Sequence, residues 1–155
     1  MQAPLDHPDV FARPPLVYLG AIAAVFILRY FLPLPLLAGA GTLWPCATLA
    51  VAGVLIAIWG RKALLQVNTN IDPMRPTLAI ASGGPYRFSR NPLYVSLTLI
   101  YLGITLAGNS WWCLVVLVPL LGALHFGIVL REERYLQDKF GEQYLSYRRQ
   151  VRRYL

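Results

Sequence analysis

Two clusters of chemistry-bearing residues interrupt an otherwise apolar chain of 155 residues. The first, residues 82–94, reads Ser-Gly-Gly-Pro-Tyr-Arg-Phe-Ser-Arg-Asn-Pro-Leu-Tyr. Gly83 and Gly84 permit backbone close to a ligand, Arg87 and Arg90 stand three apart on one side of a turn, and Asn91-Pro92 can open a helix. The second is Glu132-Glu133, with His125 seven residues before Glu132 and so on the same face of a regular helix. Cations, carboxylates, tyrosine rings and loop amides together suit a ligand with both charged and aromatic parts. Neither cluster contains a nucleophile paired with a base.

Each feature also has a plainer reading. Residues 82–94 could be a basic turn that anchors two membrane helices at the headgroups, although an anchor does not need tandem glycines or tyrosines. Glu132 and Glu133 could be a solvated pair bridging to Arg131 or Arg134. His125 could equally be a hydrogen-bonded packing residue, although a polar side chain inside an apolar span is functional more often than one in a soluble core.

The elements that must position these residues are apolar helices. Hydrophobic residues make up 57% of the chain, and its mean hydropathy is +0.52, which marks a membrane protein. Residues 15–32, 43–60, 92–106 and 111–130 are expected as four transmembrane helices of an all-α membrane protein. The first would rise about 27 Å, close to the hydrocarbon thickness. Its Arg29 lies near the end, where the side chain can snorkel to the interface. Pro33, Pro35, Gly39, Gly41 and Pro45 place a turn before the second span, and Trp44 and Trp59 bracket that span as interfacial aromatics. From Asn91 to Leu130 there is no Asp, Glu, Lys or Arg. So long a stretch must fold back, with residues 107–110 as the turn, Trp111 and Trp112 at the interface and Pro119 kinking the last span.

The net charge of +7 does not imply nucleic acid, because its placement is that of a membrane protein. Thirteen of the fourteen Lys and Arg residues are Arg13 or lie in residues 61–90 and 131–153. The turns on the opposite side carry none. That asymmetry puts both termini and the loop of residues 61–91 in the cytoplasm of a multi-pass integral membrane protein. The first residues lack a basic n-region and a cleavage site, so the first apolar segment is expected to be retained. Residues 131–140 should continue the last span into water as far as Gly141. Beyond it Tyr144, Tyr147, Val151, Tyr154 and Leu155 fall on one helical stripe and Arg148, Arg149, Arg152 and Arg153 on the next. This pattern predicts a cytoplasmic amphipathic helix that lies on the membrane surface or caps the loop. Cys46 and Cys113 have no metal-ligand spacing, and no metal is implied. They could pair, but two small apolar-face residues is the simpler reading.

The loop motif from Gly84 to Tyr94, then Glu132-Glu133-Arg134-Tyr135-Leu136, then Phe140-Gly141-Glu142-Gln143-Tyr144-Leu145-Ser146-Tyr147 and on to Val151, resembles the isoprenylcysteine carboxyl methyltransferase and phospholipid methyltransferase superfamily of integral membrane methyltransferases. The resemblance covers roughly the last 90 residues, three ordered motifs with an apolar hairpin between them. It implies one methyltransferase domain over residues 1–155 with its cofactor-binding region in 82–155. The cofactor would be S-adenosylmethionine, held at the cytoplasmic face, with a lipid-side opening for the acceptor. Carried over position by position, the resemblance assigns cofactor contacts to Gly84, Tyr86, Arg90, Pro92, Tyr94, Glu132 and Glu133, with Arg90 and Glu133 as the catalytic pair. His125, placed at the same depth by helix polarity, and Asn91 complete the expected site. Many members have His where this chain has Asn91. An amide can donate a hydrogen bond there but cannot exchange a proton near neutral pH, which removes the ground for a catalytic base at that position.

The expected partners are a small lipophilic substrate from the bilayer and membrane lipids. The substrate would be an isoprenylcysteine-type carboxylate, or a lipid amine, hydroxyl or thiol. Two other classes fit less of the chain. A nicotinamide-dependent sterol-type reductase would share the Arg-x-Pro-x-Tyr stretch but not the Glu-Glu and Phe-Gly-x-x-Tyr-x-x-Tyr motifs. A small transporter or scaffold would need ionisable residues or broken helices at mid-bilayer, where the spans offer only Arg29 and His125, both off-centre, and Pro119.

Overall fold

A computed structural model describes residues 8–10, 12–36 and 43–154, and its regular structure is helical. Among the described residues there is no strand, only an isolated parallel bridge between Ser89 and Arg152. The helices are α1 (Pro14–Phe31), α2 (Leu43–Gln66), α3 (Pro92–Ala107), α4 (Trp112–Leu124), α5 (Leu130–Phe140) and α6 (Glu142–Gln150). A 3-10 turn, Gly84–Arg87, precedes α3, and a π turn, His125–Val129, joins α4 to α5. Gly39, Gly41 and Leu155, expected in the first turn and at the chain end, lie outside the described residues.

Three helical stretches are long and apolar enough to cross a membrane: Pro14–Phe31, Leu43–Gln66 and the continuous Trp112–Phe140. α3 is apolar but has 16 residues, about 24 Å against a hydrocarbon layer of about 30 Å. The expected four spans are therefore three full-length helices and one shorter one. α2 runs on to Gln66, past the basic pair Arg61-Lys62. α4 passes through Pro119 without ending, and the irregular turn comes at His125 instead.

Small residues let α2 and α3 approach closely. A Cβ on Gly53 would fall 2.6 Å from the Ser96 carbonyl oxygen, and one on Gly103 would fall 2.6 Å from both Ala50 N and the Cys46 carbonyl oxygen. Backbones at that separation gain packing along their whole length, which is what holds helices together where lipid removes the hydrophobic drive. α1 bridges α3 and α4. Its buried Tyr18 shares a hydrogen bond with Thr98 Oγ1 at 2.6 Å and donates to the Tyr94 carbonyl at 3.2 Å. Tyr101, fully buried, donates to the Cys113 carbonyl at 2.8 Å. Cys46 and Cys113 are both buried free thiols. Leu16, Leu19, Ile27, Leu55 and Val118 point outward, an apolar surface suited to lipid.

The C-terminal segment departs from the helix expected of its stripe. Gly141, at φ +54°, separates α5 from α6, and α6 stops at Gln150, with Val151 extended. The backbone then finds partners in the loop before α3: Arg90 N–H donates to the Arg152 carbonyl at 2.9 Å. Those contacts replace the helical bonds that the periodicity of residues 142–155 predicts beyond Gln150, and they bring the tail onto the basic loop, one of the two placements expected of it.

Candidate active site

The loop between α2 and α3 reaches the site through a turn that needs glycine at one position. Gly84 has φ +58°, and a Cβ there would lie 3.2 Å from Trp59 Nε1 and from Ala63 Cβ. Gly84 thus serves the chain's turn onto α2 and does not line the cavity. The 3-10 turn that follows buries Tyr86 and leaves Arg87 exposed over the Phe88 ring. Asn91 is the residue before α3, with Pro92 first in the helix, but its side chain makes no capping bond. Its Nδ2 instead donates to the Arg153 carbonyl at 3.1 Å, and its own N–H donates to Ser89 Oγ at 3.1 Å.

These elements enclose a cavity of about 220 Å³. Tyr86, Arg90, Asn91, Pro92, Tyr94, Glu132 and Glu133 all line it, so seven of the nine residues expected from sequence converge. Gly84 and His125 do not. His125 sits at the start of the π turn, where its Nδ1 meets the Tyr154 hydroxyl at 2.8 Å. A π turn accommodates about one extra residue, which offsets the register by about 100°. The seven-residue spacing that would align His125 with Glu132 in a regular helix therefore fails.

Glu133 is the electrostatic centre. Its side chain is 8% exposed and lies 3.2 Å from Arg90 Nη2. Arg153 engages the same carboxylate more fully, with Nε at 3.1 and 3.2 Å from its two oxygens and Nη2 at 2.9 Å from Oε2. The expectation that the glutamates emerge into water is corrected here for Glu133, because the returning tail covers it. Arg90, also 8% exposed in its side chain, has no partner for Nε or Nη1 among the described residues. Glu132 accepts a hydrogen bond from the Tyr94 hydroxyl at 2.7 Å, linking α5 to the first turn of α3.

Three residues outside the expected set shape the site. Tyr144 and Tyr147 of α6 line the cavity, and Tyr147 donates to the Tyr86 carbonyl at 2.7 Å. Burial pushes the Tyr144 hydroxyl up to about 12, with Glu133 adding to the rise and Arg90 and Arg148 opposing it. Burial raises Tyr86 and Tyr147 as well, reinforced by their phenol neighbours. All three phenols therefore stay protonated near neutrality and act as donors, not bases. The third residue is Arg153. The Phe-Gly-x-x-Tyr-x-x-Tyr motif pointed to the two tyrosines, but nothing local distinguishes Arg153 from Arg148, Arg149 or Arg152.

The other side of the cavity is closed by residues 67–81 and the segment before α1. Thr69 Oγ1 accepts from Leu78 N at 2.9 Å, Asn70 Nδ2 donates to the Pro76 carbonyl at 2.7 Å, and Thr77 N–H donates to the Tyr135 hydroxyl at 3.2 Å. Arg13 pairs with Asp72 at 3.2 Å, and Arg131 Nη1 donates to the Asp9 carbonyl at 2.6 Å.

The family model for phospholipid methyltransferase matches residues 42–143, from the start of α2 to the beginning of α6. The chain belongs to the phospholipid methyltransferase family. An uncharacterised protein of Haemophilus influenzae is 47% identical over 64 residues, which is 41% of this chain and the whole of that protein. No solved structure matches. The family is part of the isoprenylcysteine and phospholipid methyltransferase superfamily, and membership points to methyl transfer at a membrane. The matched segment contains the loop, Arg90 and both glutamates, and leaves Arg153 outside.

Proposed function

We propose that this protein is an S-adenosylmethionine-dependent methyltransferase whose cavity holds the cofactor beside Arg90 and passes its methyl group to a small lipophilic acceptor entering from the bilayer. The observation that carries the reading is the pair of partnerless donors on buried Arg90. A buried guanidinium with unpartnered donors fits an anionic group such as a carboxylate. The cofactor has one such carboxylate, together with an ammonium, ribose hydroxyls and an adenine, and when bound it supplies an electrophilic methyl on a sulfonium.

The protein's own residues divide that recognition. Arg90 receives the carboxylate. Glu132, already oriented by Tyr94, offers acceptor oxygens to hydroxyls or to the ammonium. Tyr86 provides a ring face, held by the Tyr147 hydroxyl on its carbonyl, and Tyr144 provides a donor at the far wall. Ile80, Leu93 and Leu97 line the same cavity and keep water from the reacting centre. An acceptor that arrives as a carboxylate or thiolate needs positioning and dryness more than a base, so a site without a nucleophile-base pair is adequate. The shared side of the basic segments favours the cytoplasmic face.

Purified protein should transfer radiolabelled methyl from S-adenosylmethionine into a total lipid and small-molecule extract, with the acceptor identified from the labelled product by mass spectrometry. Absence of cofactor-dependent label in any lipophilic fraction would count against the proposal.

A further inference from the structure

We infer that Arg153 is a positioning residue of this cavity: by occupying the Glu133 carboxylate, it keeps two donor groups of Arg90 open for an anionic ligand. The inference rests on the proposed cofactor reading. Arg153 does not itself line the cavity, and it lies beyond the segment matched by the family.

The geometry is an unequal competition of two guanidinium groups for one carboxylate. Arg153 makes three contacts to Glu133 between 2.9 and 3.2 Å. Arg90 is left one, from Nη2 to Oε1 at 3.2 Å. Arginine prefers two parallel bonds to a carboxylate, so Arg90 would take Glu133 in that way if nothing else held it. Arg90 Nε and Nη1, now without partners, would then have less to offer a ligand.

The side chain's role can be separated from that of the tail backbone. The Arg152 carbonyl accepts from Arg90 N–H at 2.9 Å. The Arg153 carbonyl accepts from Asn91 Nδ2 at 3.1 Å and from Ser89 Oγ at 3.3 Å. Tyr154 meets His125 at 2.8 Å. None of these bonds uses the Arg153 guanidinium, so replacing that side chain leaves the tail its other attachments.

The test compares two ligands on full-length protein in one detergent, by calorimetric titration of wild type and Arg153→Met. S-adenosylhomocysteine carries the amino-acid carboxylate, whereas 5′-methylthioadenosine shares the adenosine and the thioether but lacks that end. Arg153→Met should bind S-adenosylhomocysteine about ten- to a hundred-fold more weakly, the scale of a lost charge-assisted hydrogen bond. Its affinity for 5′-methylthioadenosine should not change. If Arg153→Met does not fold, Arg153→Lys, which keeps a cation near Glu133 without the fork, should show the same asymmetry at smaller size. Equal weakening for both ligands would make Arg153 a tail anchor only and overturn the inference, as would no weakening for either. A wild type that binds neither ligand would overturn the proposed function and this inference with it.

Discussion

The Tyr94 hydroxyl donates to Glu132 Oε1 at 2.7 Å, tying the start of α3 to the polar extension of the last apolar stretch. Both residues line the cavity, so the bond holds its walls together and sets which carboxylate lone pairs remain for a ligand.

Tyr94→Phe should therefore cost affinity more than stability. Loss of one hydrogen bond of this kind lowers stability by about 1 to 3 kcal/mol at most, since the Glu132 carboxyl left behind still faces the cavity. The cofactor dissociation constant should rise while the kcat of saturated enzyme falls less. Thermal unfolding and calorimetric titration of the same preparation check this, and an unchanged dissociation constant would remove Glu132 orientation from the account.

Glu133→Gln should behave differently. Glu133 stands between Arg90 and Arg153 with its side chain 8% exposed. Removing its charge leaves Arg90 buried beside a neutral amide, and breaking a buried pair in this way costs about 3 to 5 kcal/mol. The half-open position of Arg153 places the expected loss toward the lower end of that range. A clear fall in the thermal midpoint, with Glu132→Gln well above it, is the expected ranking. The reverse ranking would contradict the burial of Glu133.

Gly103→Ala tests the helix packing on its own. The new Cβ would meet Ala50 N and the Cys46 carbonyl oxygen at 2.6 Å. Both are backbone atoms, so α2 and α3 must separate. Overpacking of this sort costs about 1 to 3 kcal/mol. Gly122→Ala, inside α4 where a Cβ would meet nothing within 4 Å, is the control and should hold or slightly raise the midpoint. Equal stability of the two variants would show that the α2–α3 contact is looser than described.

Much of this arrangement was legible from residue types. Apolar length and the proline and glycine breaks located α1 to α4, because a helix in lipid must satisfy its own backbone. Residues of the loop motif and the glutamate pair line one cavity, a convergence that their types suggested, because arginine, carboxylates and tyrosines together suit a ligand with charged and aromatic parts. What could not be read was set by contacts between distant parts of the chain. The π turn at His125–Val129 broke a seven-residue alignment that holds only in a regular helix. The tail left its helix after Gln150 because the Arg152 and Arg153 carbonyls found donors at Ser89, Arg90 and Asn91. That return buried Glu133, and four arginines of similar appearance gave no sign of which one would do it.

The most direct test of the central claim is calorimetric titration of S-adenosylmethionine into wild type and Arg90→Lys. The open donors of Arg90 belong to a planar fork that an ammonium cannot reproduce, although the charge is kept. Wild type should bind, and Arg90→Lys should bind about ten-fold or more weakly, the loss of at least one charge-assisted bond. Wild-type binding with undiminished affinity in Arg90→Lys would contradict the placement of the cofactor at Arg90.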